Sequence, residues 1–241
     1  MDIAKHRRDV HGITQIQENL RQIVYGGNDG IVTTFAVVAG FAGANADGVV
    51  QLGTVAVLIF GFANLFADAT SMGLGEFLSS RSEQDVYSRI RNDELHRIEH
   101  DRETEHAEII ALLQLNGVSK ADAHDLAREL EKHPQILADF MMSYEFGMSN
   151  PADENPALNA LFTFVSFLVF GFIPLTPYVF GLDTENGFIY SSIATGAALT
   201  MLGLLRWYAT RENLLRSLLE TVFIGGVCAV VAFGVGVLLG G

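Results

Sequence analysis

The chain has 241 residues, is 49% hydrophobic, and combines a mean hydropathy of +0.29 with a formal net charge of −13. Apolarity and charge of that size coexist only if they are segregated along the chain, which argues against an ordinary water-soluble domain and against nucleic acid as a partner. A single cysteine, Cys228, excludes an intrachain disulfide framework or a thiolate metal site and reads as a core residue.

The first stretch, Met1–Tyr25, is polar and mixed in charge, so no signal peptide is expected. Ile13, Ile16, Leu20, Ile23 and Val24 recur at helical spacing and predict an amphipathic lead-in. Five apolar stretches follow, near Gly30–Ala46, Leu52–Ser79, Ala157–Leu182, Gly187–Trp207 and Thr221–Gly241. Each is close to the roughly 17–25 residues that cross a bilayer as a helix. The fold class expected is therefore an all-α membrane protein of five transmembrane helices, with a polar helical insert between the second and third.

At the mouth of the first span, in "GGNDGIVTTFAVVAG", stands a lone carboxylate, Asp29. The second span carries Asn64, Asp68, Met72 and Glu76, each four residues after the last. Four residues turn a helix by about 400°, so these side chains climb one face. Ionisable groups at membrane depth are costly and face a cavity, a partner charge or an ion path. Carboxylates alone suit protons or hard cations, and a thioether among them adds a softer donor, which favours a first-row transition ion over Mg²⁺. Taken alone, Met72 is more often a packing residue, and Asn64 alone fits a helix–helix hydrogen bond.

The insert from Ser80 to Pro156 holds 17 of the 28 acidic residues, eight basic ones and five of the seven histidines. Apolar positions at helical spacing, with breaks at Asn116–Gly117 and His133–Pro134, predict about three helices, and Ser119–Asp122 resembles a capping box. Along "NDELHRIEHDRETEHAEII", Glu94, Asp101, Glu105 and Glu108 fall within about 60° of one direction if that helix is continuous. "DFMMSYEFGM" adds Met141, Met142 and Glu145. A solvated acidic face and a hydrophobic packing seam are the plain alternatives to a metal site here. His96 and His100, one turn apart, read as solvated residues on so polar a segment. No P-loop, dinucleotide fingerprint or repeat is present, which disfavours an ATP-driven pump.

Charge orders the topology. With the N-terminus inside, all 15 basic residues fall in residues 1–29, in the insert, or around Arg206–Arg216, and the outer loops near Asp47 and Asp183–Glu185 carry none. The expected domains are residues 1–79 with spans one and two, a cytoplasmic domain 80–156, and residues 157–241 with spans three to five, the C-terminus lying outside or in a lumen.

The stretches "DGIVTTFAVVAGFAGAN", "SMGLGEFLS", Thr104–Glu108 and "DFMMSYEFG", in this order, resemble the vacuolar iron transporter family, which includes the yeast vacuolar iron and manganese carrier. The likeness covers essentially the whole chain. It implies a homodimer of five-span subunits in a lipid bilayer, not an enzyme, that moves Fe²⁺, and in some members Mn²⁺, out of the cytosol in exchange for protons, with no prosthetic group. The membrane would be the plasma membrane in a bacterium and the vacuolar membrane in a eukaryote. Asp29 and Met72 match the family's path positions, and Glu105, Glu108, Met141, Met142 and Glu145 match its cytoplasmic ligands. Plant members carry glutamate where Asn64 and Arg97 stand here. The resemblance leaves Asp68 or Glu76 to make good the first, and Glu94, with Glu99 or Glu103 as substitutes, to complete the insert's set.

Asp29 would then lack a partner because its partner is a passing cation, or a proton when no metal is present. The glycines around it, Gly26, Gly27, Gly30, Gly40 and Gly43, would let helices approach closely. A second function class rests on Glu103 and His106, which have the Glu-x-x-His spacing of ferritin-like di-iron proteins. A membrane-anchored ferroxidase or iron store would need a second such motif, and the sequence has none.

Overall fold

The computed structural model describes residues 15–44, 53–151, 154–181, 186–211 and 213–240, and the regular structure among them is helical. The basic residues Lys5, Arg7 and Arg8, the start of the lead-in with Ile13, and the outer-loop acids Asp47 and Asp183–Glu185 lie outside the described residues. In chain order the helices are α1 (Gln15–Glu18), α2 (Leu20–Ala44), α3 (Thr54–His100), α4 (Arg102–Leu115), α5 (Lys120–Leu130), α6 (Pro134–Tyr144), α7 (Pro156–Phe172), α8 (Thr176–Val179), α9 (Gly187–Thr210) and α10 (Leu214–Gly240). A 3₁₀ turn, Ile173–Leu175, joins α7 to α8. The chain packs as two compact units, one formed before Leu78 and after Pro156, the other being Leu78–Pro156.

Among the described residues four helical runs are long and apolar enough to cross a membrane: α3, Pro156–Val179, α9 and Leu214–Leu239. Helix α2, where the first of five spans is expected, does not join them. Arg21, Gln22, Asn28 and Asp29 occupy its first half, and only Gly30–Ala44 is free of charge. It is nevertheless the centre of the bundle, packed on α9 and α10 and burying Ile31, Thr34, Phe35, Val38 and Ala39. A stack of rings, Phe35 on Phe188 at 6.0 Å and Phe188 on Phe233 at 5.7 Å, ties α2, α9 and α10 together. Ser191 Oγ donates to the Pro174 carbonyl at 2.6 Å and Ser217 Oγ to that of Gly203 at 2.9 Å. Only 11% of the apolar window of α10 is buried, and Phe223, Val230 and Leu238 stand open around it. Apolar side chains on every face with so little protein against them are what lipid contact requires.

Helix α3 is 47 residues long, about 70 Å at the usual rise. It does not end at Ser79, where the second span is expected to stop, but continues to His100 because no Gly, Pro or cap signal interrupts it. Its distal part belongs to the second unit with α4, α5 and α6, whose core is Ile98, Ile109, Leu113, Ala123, Ala127, Leu137, Ala138 and Met141. The expected breaks hold: Gly117 sits at φ +89°, and α6 starts with Pro134 in its first turn. Ser119 Oγ accepts from the Asp122 amide at 3.2 Å and donates to its carboxylate at 2.7 Å, a variant of the predicted capping box. Arg91 fastens α3 to α6 through Asp139 at 2.6 Å and Gln135 at 2.9 Å. The condition of one continuous helix through Asp101 is not met, since that residue has φ −129° and ψ 56° and separates α3 from α4.

Helix α2 meets α7 backbone to backbone. A Cβ on Gly26 would lie 2.6 Å from the Thr163 carbonyl oxygen, and one on Gly30 would press still harder on that of Phe167. Backbone oxygens cannot swing away as a side chain can. Gly30→Ala is therefore expected to destabilise the detergent-solubilised protein by about 1–3 kcal/mol, read as a fall in the thermal unfolding midpoint. Gly196→Ala, with nothing within 4 Å of the new Cβ, should be neutral or raise the midpoint slightly through better helix propensity.

Candidate metal centres

The polar residues of the membrane bundle are arranged by two antiparallel helices. Gln22 and Asp29 are seven residues apart, so they lie on one face of α2. On α3, Gln22 Nε2 donates to Glu76 Oε1 at 3.1 Å. One level on, the Asp29 carboxylate is close enough to Asp68 for the two charges to repel. The result is a ladder of two rungs, Gln22–Glu76 and Asp29–Asp68, spaced by seven residues on one helix and eight on the other, about 11–12 Å.

Asn64 Nδ2 donates to Asp68 Oδ2 at 2.8 Å, so Asn64 turns Asp68 rather than standing apart from it. Met72 lies on α3 between the rungs, half-buried against the core of Phe35, Ala69 and Phe167. Its sulfur serves packing and remains within one turn of both carboxylates. Asp29 has no ion pair among the described residues, and its backbone carbonyl accepts from Thr33 Oγ1 at 2.8 Å.

Three polar residues that the sequence reading passed over belong here. Gln22 is buried, and because its amide nitrogen must face Glu76, its Oε1 is left buried without a partner. Asn28 Oδ1 and Thr34 Oγ1 are likewise buried and unpaired. An unsatisfied buried acceptor costs about 1–3 kcal/mol, and oxygens left in this state along one helix suit a visiting cation or its water. The signal available in the sequence was the seven-residue spacing from Gln22 to Asp29. Beside Asn64 the bundle opens as an apolar groove of about 900 Å³ walled by small residues, among them Ala36, Gly40, Ala63 and Gly236.

In the second unit the break at Asp101 brings together what a straight helix would hold apart. Glu94 and Glu105 are both buried, at 2% and 4% exposure, and share a hydrogen bond. Each keeps one further carboxylate oxygen buried and unpaired, Glu94 Oε1 and Glu105 Oε2. Glu108 and Glu145 add their charges. Burial first, then the hydrogen bond to Glu94 and repulsion from Glu94, Glu108 and Glu145, push the Glu105 carboxyl up to about 8. Glu145 is also raised, by burial and by Glu94 and Glu108, against a lowering influence from Arg97. Met142 is fully buried, and Met141 is part of the unit's hydrophobic core, so for Met141 the packing seam is realised.

Asp101, Glu99, Glu103 and Arg97 are exposed. Asp101 leaves the acidic face because the helix breaks at it. Glu103 and His106 do not form the paired di-iron arrangement: Glu103 faces solvent, and His106 Nδ1 is bonded to Glu131 Oε1 at 2.6 Å. Among the described residues no three His, Cys, Asp or Glu side chains close on one point where an ion could sit. Four carboxylates opposed only in part by Arg97 repel one another, and a cation is what would draw them together.

Known proteins are similar to this chain in sequence over most of its length. The model of the VIT family matches residues 20–237. Vacuolar iron transporter 1 of Arabidopsis thaliana is 36% identical over 217 residues, covering 90% of this chain and 84% of that protein. The vacuolar iron transporter of Centaurea cyanus is 35% identical, covering 90% and 86%. That of Plasmodium falciparum is 33% identical over 245 residues, covering 97% and 88%.

The raised Glu105 carboxyl fixes a pH dependence of stability. The folded protein keeps this proton up to about pH 8, whereas an ordinary glutamate, as in the unfolded chain, loses it near 4.5. The folded state thus binds more protons between those values, and the resulting stabilisation is complete below about 4.5 and lost as pH rises through about 8. In metal-free protein, melting should fall from pH 5 to pH 8, and Glu105→Gln should remove a contribution on the order of a few kcal/mol from that slope.

Proposed function

The chain belongs to the VIT family, and from that premise we propose that it carries Fe²⁺, with Mn²⁺ as a second cargo, out of the cytosol in exchange for protons. The observation that carries this reading is the ladder of Gln22–Glu76 and Asp29–Asp68 inside an apolar bundle. Iron transport is what the names of its relatives state of those proteins. A carboxylate held in a partly dry bundle can carry either a proton or a metal ion, and arrival of one displaces the other. Two levels about 11–12 Å apart let an ion pass from Glu76 to Asp29 and Asp68 without crossing a wholly apolar gap. Met72, between the levels, supplies a softer donor that suits Fe²⁺ or Mn²⁺ better than Mg²⁺.

The second unit captures the ion. Glu94, Glu105, Glu108 and Glu145, with Met142 and Met141 beside them, form the acidic store, which faces the cytosol under the positive-inside pattern of the basic residues. Helix α2 completes five spans in this reading, its polar first half being accommodated by Glu76 and Asp68. A second copy of the chain packs on the small-residue groove beside Asn64, where close backbone approach is possible. The homodimer then encloses the ladder.

Sealed vesicles with an imposed pH gradient test the exchange. Fe²⁺ uptake should depend on the gradient, and collapse of the gradient should abolish it. Asp29→Asn keeps shape and removes the charge, so flux should fall at least about tenfold while the protein stays folded. Near-normal flux in that variant excludes Asp29 from the path. Met72→Leu conserves volume and should leave stability within about 1.5 kcal/mol while lowering Fe²⁺ flux.

Replacing Glu105 and Glu108 together by Gln should weaken metal binding and raise the apparent KM, leaving residual flux at saturating metal. Complete loss at every concentration in a folded double variant would assign the second unit to gating instead.

A further inference from the structure

One face of α3 changes character along its length. Leu74, Leu78, Arg81, Asp85, Ser88 and Asn92 follow one another at steps of three or four residues, and at about 100° per residue they fall within about 40° of one direction. Leu74 and Leu78 are exposed, at 61% and 63%. One turn further on, the same face lines a polar cavity of about 610 Å³ in the second unit, to which Arg81, Asp85, Ser88, Arg91, Asn92 and Asn150 contribute. The wall at Pro151 is fastened to α3, where Gln84 Nε2 donates to the Pro151 and Glu154 carbonyls at 3.3 and 3.0 Å. Arg91 is fixed by Asp139 and Gln135. Arg81 is not. Its ion-pair partner, Asp85, lies 3.8 Å away with the two side chains 63% and 73% exposed, too far for a hydrogen bond. Two opposite charges thus stand side by side in one cavity, each still able to take a partner. Arg81 is also the first basic residue after the apolar run that ends near Ser79, the place where a span meets the headgroup layer of a bilayer.

We propose that this cavity holds the headgroup of a phospholipid that carries a primary ammonium, with the phosphate on Arg81, the ammonium on Asp85 and an acyl chain along Leu74 and Leu78. The charge pattern chooses the lipid. A phosphate needs donors, which a guanidinium supplies in a fork, and an ammonium needs acceptors, which Asp85 and the side-chain oxygens of Ser88 and Asn92 supply. A purely anionic headgroup satisfies Arg81 and is repelled by Asp85. A choline headgroup has no N–H to donate and favours aromatic faces, whereas Tyr87, the aromatic residue of the lining, is buried. The leucines matter as much as the charges. A soluble phosphate ester would fill the cavity and leave them bare, but a lipid covers both along a single helix face. None of these residues belongs to the ladder or to the Glu94–Glu105 cluster, so the inference stands apart from the transport reading.

The test uses the full chain, stripped of lipid in detergent and titrated with phosphatidylethanolamine, phosphatidylcholine or phosphatidylglycerol of the same acyl chains, with retained lipid counted by native mass spectrometry. The wild type should retain phosphatidylethanolamine at least about fivefold better than either of the others. Arg81→Gln should lower retention of phosphatidylethanolamine and phosphatidylglycerol alike. Asp85→Asn should erase the preference between those two, which only an ammonium on Asp85 explains. Arg128→Gln, which breaks a similarly exposed pair with Asp125 elsewhere in the unit, should change nothing. Both cavity residues are exposed, so the lipid-free variants should melt with the wild type.

Equal retention of the three lipids by the wild type, or an unchanged preference in both cavity variants, overturns the proposal. Soluble phosphoethanolamine should raise the melting midpoint less than the lipid does. An equal rise also overturns it, because the leucines would then contribute nothing.

Discussion

A carboxylate removed from water must be compensated by a proton, a hydrogen-bond donor or a cation, and this requirement shapes both units of the protein. In the bundle, Glu76 has the amide of Gln22 and Asp68 has that of Asn64, but Asp29 has no side-chain donor among the described residues and repels Asp68. In the second unit Glu94 and Glu105 share a hydrogen bond and each leaves another oxygen unpaired. Each arrangement is thus compensated only in part by the side chains around it.

Holding like charges close together needs a rigid frame. The glycines of α2 supply it where Gly26 and Gly30 rest on the Thr163 and Phe167 carbonyls, and the Phe35–Phe188–Phe233 stack closes another side. Asp29 lies between these two glycines, so its position is set by backbone contact rather than by a flexible side-chain seam. In the second unit the same service comes from the Ile109–Leu137–Met141 core and from Arg91, which binds both Asp139 and Gln135. Met141 illustrates the overlap of roles: a residue matching a family ligand is also a core residue, because a thioether is apolar enough to pack and polarisable enough to coordinate.

Arg97 stands beside the acidic residues of the second unit. Its positive charge opposes the upward shift of Glu145. The exposed Glu99 and Glu103 do not join the Glu94–Glu105 pair, and the acidic cluster is therefore organised by burial of two glutamates instead of by a ring of many.

Segregation of charge, the apolar runs, the polar face of α3, the breaks at Gly117 and Pro134 and the Ser119 cap were legible in the sequence. All depend on composition or on spacing within one helix, where rise and twist per residue are fixed. The roles of Gln22 and Asn28 were not, since their significance lies in which oxygen is left unpaired after α2 meets α3. Nor was the end of α3, because nothing in the residues around Ser79 stops a helix. The meeting of Glu94 with Glu105 is the clearest case. In a continuous helix eleven residues would separate them by about 16 Å, and only the turn at Asp101 and the packing of α4 bring the two into hydrogen-bond contact. Local periodicity thus determined which side chains could act together along a helix. The tertiary structure decided which of them meet across helices, because burial and repulsion depend on distances that the order of residues does not contain.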